Sequence, residues 1–183
     1  MANDGTGGSA GEVRGAGVSA GEPRWLSDAE RAVWIRFAAV LELLPPALDQ
    51  QLERDEGLSH FEYFVLAMLS EARERTLRMT SLATRTNATL PRLSRVVQRL
   101  EAQGLVRRSP CAEDRRATNA TLTDAGWAKV VHAAPGHVEN VRASVLDALS
   151  PAQVAALGEI SALLLGRLDP DGRMFASQPG EDA

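Results

Sequence analysis

Leu93-Ser94-Arg95-Val96-Val97-Gln98-Arg99-Leu100-Glu101-Ala102-Gln103-Gly104-Leu105-Val106-Arg107-Arg108 is the stretch on which the fold of this 183-residue chain turns. Leu93, Val96, Val97 and Leu100 recur at helical spacing and form one apolar stripe. Arg92, Arg95 and Arg99 fall on a different face, beside Pro91 near the helix start. Thr89 is a natural N-cap and Gly104 a natural stop, so a helix is expected over residues 90–103. A shorter helix fits 81–86 just before it. Behind it, 105–109 and 118–122 read as two strands around the polar loop 110–117. Two short helices joined by a tight turn and followed by a basic β-ribbon make a winged helix-turn-helix, whose second helix enters the major groove of DNA.

The flanks are helical too. Ser27-Asp28-Ala29-Glu30 is a capping box, followed at helical spacing by Val33, Trp34, Phe37, Val40, Leu41 and Leu44. Pro45-Pro46 is expected to break or kink that helix, which continues through Leu48 and Leu52 to about Gly57. Ser59-His60-Phe61-Glu62 is a second box, opening a strongly apolar helix through Ser70. Thr123-Asp124-Ala125-Gly126 opens another, expected to be interrupted at Pro135-Gly136 and to resume as far as Leu149. Ser150-Pro151-Ala152-Gln153 starts the last, which carries Val154, Leu157, Ile160, Leu164 and Leu168. The fold class is therefore mainly α with a small antiparallel β-ribbon. Residues 1–24, with seven glycines and few large apolar side chains, are expected to be a disordered tail. Residues 169–183 are expected to be a second loose tail.

Charge locates the functional face. The chain as a whole carries −4, which taken alone argues against a polyanionic partner. Residues 71–116, however, hold eleven arginines against five acids, a net +6, leaving −10 on the rest. A basic middle between acidic flanks is an electrostatic footprint with a defined position. Only Lys129 among the twenty basic residues is a lysine, and arginine's planar fork suits guanine edges, phosphates and narrow minor grooves. Arg92 and Arg95, in the first turns, are the candidates for base or adjacent phosphate contacts. Arg99, a turn further on, is expected to meet the DNA backbone. In the loop, Arg115 and Arg116 are candidate minor-groove residues, and Asp114 is expected to hold the arginine through a bidentate pair.

The quoted run, preceded by Leu82-Ala83 and followed by Asp114-Arg115-Arg116 and Leu122-Thr123-Asp124-Ala125-Gly126, closely resembles the MarR family of bacterial transcriptional regulators. The likeness covers about residues 27–168 by order of elements and is most specific over 82–126. It implies a homodimer on a pseudo-palindromic double-stranded DNA operator, cytoplasmic and on the chromosome. It also implies repression relieved by a small aromatic or anionic effector. The family's D-x-R signature falls on Asp114 and Arg116, which makes Arg116 the carried-over minor-groove arginine. The DNA-binding set expected is Thr89, Pro91, Arg92, Ser94, Arg95, Arg99, Asp114, Arg115 and Arg116. Pro91 departs mildly from the pattern, since family members often place proline one position earlier. The chain then divides into an N-terminal dimerisation helix over 25–58, a winged DNA-binding domain over 59–123 and C-terminal dimerisation helices over 124–168. A dimer also has a physical motive, because a small winged domain cannot bury apolar helices at both ends of the chain. Two copies would place their recognition helices about 34 Å apart, one turn of DNA.

Trp34, Phe37, His60, Tyr63 and Trp127 are candidates to line an effector pocket, although aromatics at helical spacing are more often core. Cys111, in the wing loop near Arg107, Arg108, Arg115 and Arg116, is a minority candidate for redox sensing, since positive neighbours favour the thiolate. A lone loop cysteine is more often an unremarkable exposed thiol. One cysteine forms no internal disulfide, and no apolar run approaches the roughly 20 residues of a membrane span. Enzymatic readings find little: there is no phosphate loop, no G-x-S-x-G and no carboxylate dyad, and His60, His132 and His137 are scattered. No catalytic residue, metal or cofactor is expected. The competing function is a winged-helix module that binds protein partners instead of DNA.

Overall fold

The computed structural model describes residues 23–111, 114 and 116–174, and the chain divides into two compact units, Met1–Phe37 and Ala38–Ala183. The expected disordered tail lies almost wholly outside the described residues. In the first unit Ser27 closes its capping box: its backbone N–H donates to Glu30 Oε2 at 2.8 Å, and its hydroxyl accepts the Glu30 N–H at 3.3 Å. This opens α1 (Asp28–Glu56), along which Val33, Trp34 and Ile35 are exposed.

The second unit contains the rest of α1, then α2 (His60–Glu71), β1 (Thr76–Arg78), α3 (Met79–Arg85) and α4 (Leu90–Ala102). The wing strands β2 (Val106–Pro110) and β3 (Thr118–Leu122) follow, then α5 (Asp124–Ser144) and α6 (Pro151–Leu168). The β-ribbon expected from the sequence is in fact a three-stranded antiparallel sheet in the order β1-β3-β2. Leu77 pairs with Ala120 and Arg108 with Ala120 from the other side. Strand β1 is only three residues long, too short to show alternation, and it exists because β3 offers it a free edge. It is reached through a tight turn in which Glu74 and Arg75 both take left-handed backbone angles (φ 52° and 53°).

The prolines do not break the helices. Pro45 and Pro46 lie inside a continuous α1, and Pro135 inside a continuous α5. Each proline removes one backbone donor, and the carbonyls it strands belong to Leu41, Glu42 and Val131. All three residues are exposed, so solvent can take the freed acceptors. α5 ends at Ser144, and a short 3-10 turn (Leu146–Ala148) carries the chain into α6.

The core gathers Leu58, Val65, Leu66 and Leu69 against Leu82, Leu93, Val97 and Leu100. Val106, Ala120 and Leu122 close it from the sheet. One backbone approach is very tight: a Cβ on Gly126 would lie 2.1 Å from the Leu105 carbonyl oxygen. Thr123 prepares it, capping α5 by accepting the Gly126 N–H and donating its hydroxyl to the Gly104 carbonyl at 2.7 Å. The Thr-Asp-Ala-Gly motif is therefore a clamp between the end of α4 and the start of α5. No single helix among the described residues is long and apolar enough to cross a membrane.

Candidate nucleic-acid interface

The recognition helix α4 is built as its stripe requires. Leu93, Val96, Val97 and Leu100 are buried, while Pro91, Arg92, Ser94, Arg95 and Arg99 are exposed. Thr89 caps it, its hydroxyl accepting the Arg92 N–H at 3.4 Å, and Pro91 occupies the first turn, where its missing N–H costs nothing. The turn from α3 passes through Asn87 with φ 47°, a left-handed conformation asparagine tolerates, and Ala88 N–H closes back onto the Ala83 carbonyl at 2.9 Å. The observed α3 starts two residues earlier than the 81–86 helix expected from sequence, because Arg78 ends β1 and turns directly into it.

Two concave surfaces flank α4. On one side Ser94 shares a hollow of about 300 Å³ with Thr80, Arg108, Arg116 and Thr118, so recognition helix and wing face a common space. On the other side Arg92, Arg95 and Arg99 line a hollow of about 390 Å³ with Asp49, Ser59 and Phe61. Three guanidiniums against the one Asp49 carboxylate leave this lining net positive and suited to phosphate oxygens.

Each arginine is positioned by a different contact. Arg92 lies over the Phe61 ring with its guanidinium carbon 4.2 Å from the centroid. Arg95 Nε donates to the Pro91 carbonyl at 3.3 Å. Arg99 Nε donates to Glu62 Oε1 at 3.0 Å, and the Glu62 side chain is only 9% exposed. Arg99 is therefore tied to α2 by a nearly buried carboxylate, which the expectation of a simple backbone-contacting arginine did not include. Glu62 also completes the Ser59 capping box, accepting the Ser59 N–H at 2.9 Å, so one carboxylate joins helix start and recognition helix.

In the wing, Asp114 does not use its carboxylate as a bidentate clamp in the described contacts. Its Oδ1 accepts the backbone N–H of Arg116 at 3.0 Å, and its carbonyl accepts the Ala117 N–H at 2.8 Å. An aspartate two residues before a turn amide closes that turn locally, and this fixes the Arg116 backbone rather than its guanidinium. Arg115 lies outside the described residues. Arg108 is held by Glu101, which accepts from its backbone N–H at 2.9 Å and its Nε at 2.8 Å. Those bonds hold the Glu101 carboxyl below the usual carboxylate range. Cys111 is buried at 5% exposure, its N–H donating to the Ala117 carbonyl. The exposed loop thiol expected from sequence is thus a packed side chain, and burial away from solvent opposes the accessible thiolate that redox sensing requires.

His60 and Tyr63 share a cavity of about 700 Å³ with Phe61, Phe64, Arg92 and His137. Trp127 lies elsewhere, under the Arg75 guanidinium at 4.4 Å. Trp34 and Phe37 belong to the first unit, their rings 6.5 Å apart. His137, set aside on sequence spacing, is the residue that sequence reasoning missed. Sequence distance conceals that α5 lays it against His60 and Tyr63.

The arrangement has counterparts among known proteins. The MarR family model matches residues 56–117. A MarR family transcriptional regulator from Streptomyces coelicolor, solved in complex with DNA, is 42% identical, with a TM-score of 0.78 over 87% of this chain and 99% of that one. AbsC, a MarR family regulator from the same organism, is 36% identical, with a TM-score of 0.75 over 80% and 98%. The HTH-type transcriptional repressor YetL of Bacillus subtilis is 32% identical over 48% of this chain, a match spanning about half (52%) of that relative. These relatives are regulators of transcription, not enzymes. With a capped arginine helix, a three-stranded wing and these likenesses, the chain belongs to the MarR family of transcriptional regulators.

Proposed function

We propose that this protein is a homodimeric, sequence-specific double-stranded DNA-binding repressor, released from a pseudo-palindromic operator by a small aromatic or anionic effector. The observation that carries the reading is the recognition helix itself. Its apolar stripe is buried, and its polar surface faces two hollows, one shared with Arg116 of the wing and one lined by three arginines. Arg92, Arg95 and Ser94 then meet base edges or adjacent phosphates, Arg99 the backbone, and Arg116 the minor groove. Thr89 and Pro91 set the helix start, and Asp114 sets the turn under Arg116.

Dimerisation is supported by α6, none of whose residues is buried although Val154, Leu157, Ile160, Leu163, Leu164 and Leu168 are all apolar. A second copy of the chain is the natural cover for such a face. Effector binding is supported by the His60–Tyr63 cavity, which touches Arg92 and so joins ligand space to the DNA-facing surface. A ligand there acts by binding more tightly to the arrangement that does not fit the operator.

Fluorescence anisotropy with the DNA flanking the protein's own gene tests the reading. Affinity should fall steeply with salt, since each neutralised phosphate releases counterions. Arg116→Ala should weaken many sequences alike, whereas Arg92→Ala or Arg95→Ala should relax sequence preference. Absence of salt-sensitive binding removes the repressor reading and leaves the protein-interaction module.

A further inference from the structure

The cavity between α2, α4 and α5 sets two imidazoles side by side. The His60 and His137 ring centroids are 5.7 Å apart, and the Tyr63 ring lies 4.7 Å from that of His137. The buried Nδ1 of His137 has no hydrogen-bond partner among the described residues. It is a buried polar atom with its bonding capacity unused, on a residue that lines the cavity.

The charges around the pair come from every wall. From α1, Asp49 accepts the His60 backbone N–H at 2.8 Å and favours a charged His60 ring. From α2, Tyr63 and Glu71 line the cavity, and from α4 the Arg92 guanidinium does. Burial is the larger influence and pulls both imidazoles below their ordinary range, and for His137 the proximity of His60 adds to it. Desolvation, opposed at His60 by the Asp49 carboxylate, makes the pair resist gaining a positive charge. An anion inside reverses that balance, because a carboxylate a few ångströms from both half-buried rings stabilises imidazolium.

We infer that an anionic ligand enters this cavity together with a proton, which settles on the His60–His137 pair, so that acid favours ligand occupancy and the release of DNA. The inference rests on the effector reading above and adds to it a coupling to protons. Arg92 transmits the effect, because it lines both this cavity and the arginine flank of the recognition helix. An anion that draws its guanidinium off the Phe61 ring takes it from the phosphate-facing surface.

The test uses the full chain, benzoate as the anionic probe and benzyl alcohol as its uncharged counterpart. Binding is followed by the carbon-bound ring protons of the histidines at about pH 7.5 and about pH 5.5, either side of the ordinary imidazole range. Benzoate stays ionised across that interval. The expected result is a benzoate Kd about fivefold lower at the acid end, as when binding raises the proton affinity of the pair about tenfold. Benzyl alcohol should show no such slope, and His60→Gln or His137→Gln should flatten that of benzoate. Where either variant fails to fold, the wild-type titration decides: both histidines should titrate at higher pH with benzoate than without it. Benzoate that binds equally at both pH values, or unchanged histidine titration, overturns the inference and leaves the effector reading standing. No saturable benzoate binding at either pH overturns the anionic-effector reading, and the inference falls with it.

Discussion

Two helices rich in apolar side chains meet opposite fates in this chain. α4 places Leu93, Val97 and Leu100 at zero exposure against α2, α3 and the sheet, while its arginines remain in solvent. α6 has more apolar side chains and buries none of them, with Leu163 75% exposed and Leu168 82%. Both are well-formed helices, and α6 even has the more complete cap, since Ser150 and Gln153 exchange both bonds of a capping box. Capping and periodicity therefore account for the existence of each helix equally well. They do not account for its burial, which needs an opposing surface. At about 25 cal/mol per Å² of apolar area removed from water, α4 stabilises the winged core and α6, uncovered, contributes nothing comparable.

The largest expected break in that symmetry is Leu93→Ala, which opens a cavity at the centre of the winged core. It should cost about 2–5 kcal/mol in chemical denaturation. Gly126→Ala comes next. Its new methyl would meet the backbone carbonyl of Leu105, which cannot swing aside as a side chain would, and a loss of about 1–3 kcal/mol is expected. Ser150→Ala removes the α6 cap and should cost about 1 kcal/mol, showing that α6 is locally stabilised without being packed.

A smaller effect is expected from pH. His60 and His137 have folded pKa values below their unfolded ones, so the unfolded chain binds protons first as pH falls. Their neutral packing supports the fold above the unfolded value of about 6.5, and that support is lost as pH drops through the interval below it. The denaturation midpoint should decline between neutral pH and about pH 5.5, and it should decline less in His137→Gln. The least effect belongs to Leu163→Ser, within about 0.5 kcal/mol in dilute protein, where α6 is uncovered. A penalty there as large as that of Leu93→Ala, independent of protein concentration, would break the contrast between the two helices. A penalty that grows with concentration would sharpen it into a measure of dimerisation.

Much of the local structure of the candidate interface was legible in the chain alone. The stripe of α4, the Thr89 cap, the Gly104 stop and the Asp114-x-Arg116 spacing are local patterns, and each corresponds to a local structure. Other features could not be read that way. Strand β1 depends on β3 for its existence, and three residues carry no period. Pro45, Pro46 and Pro135 look like helix breakers until the exposure of the carbonyls they strand is known. Cys111 looks like a loop thiol until Ala117 closes over its backbone and the side chain packs inward. His60 and His137 look scattered because α5 returns to α2 only after the whole winged motif has intervened.

By itself the sequence determined which segments are helical, which residues cap them, and that the positive charge lies on the middle of the chain. These follow from hydrogen bonds and side-chain periodicities that span a few residues. Tertiary structure alone decided which apolar stripe is core and which is left uncovered. It also decided that Glu62 restrains Arg99, that Phe61 carries Arg92, and that two distant imidazoles share one cavity. Burial, ion pairing and proton affinity depend on what lies across space, and no short-range pattern in a chain records its neighbours in three dimensions.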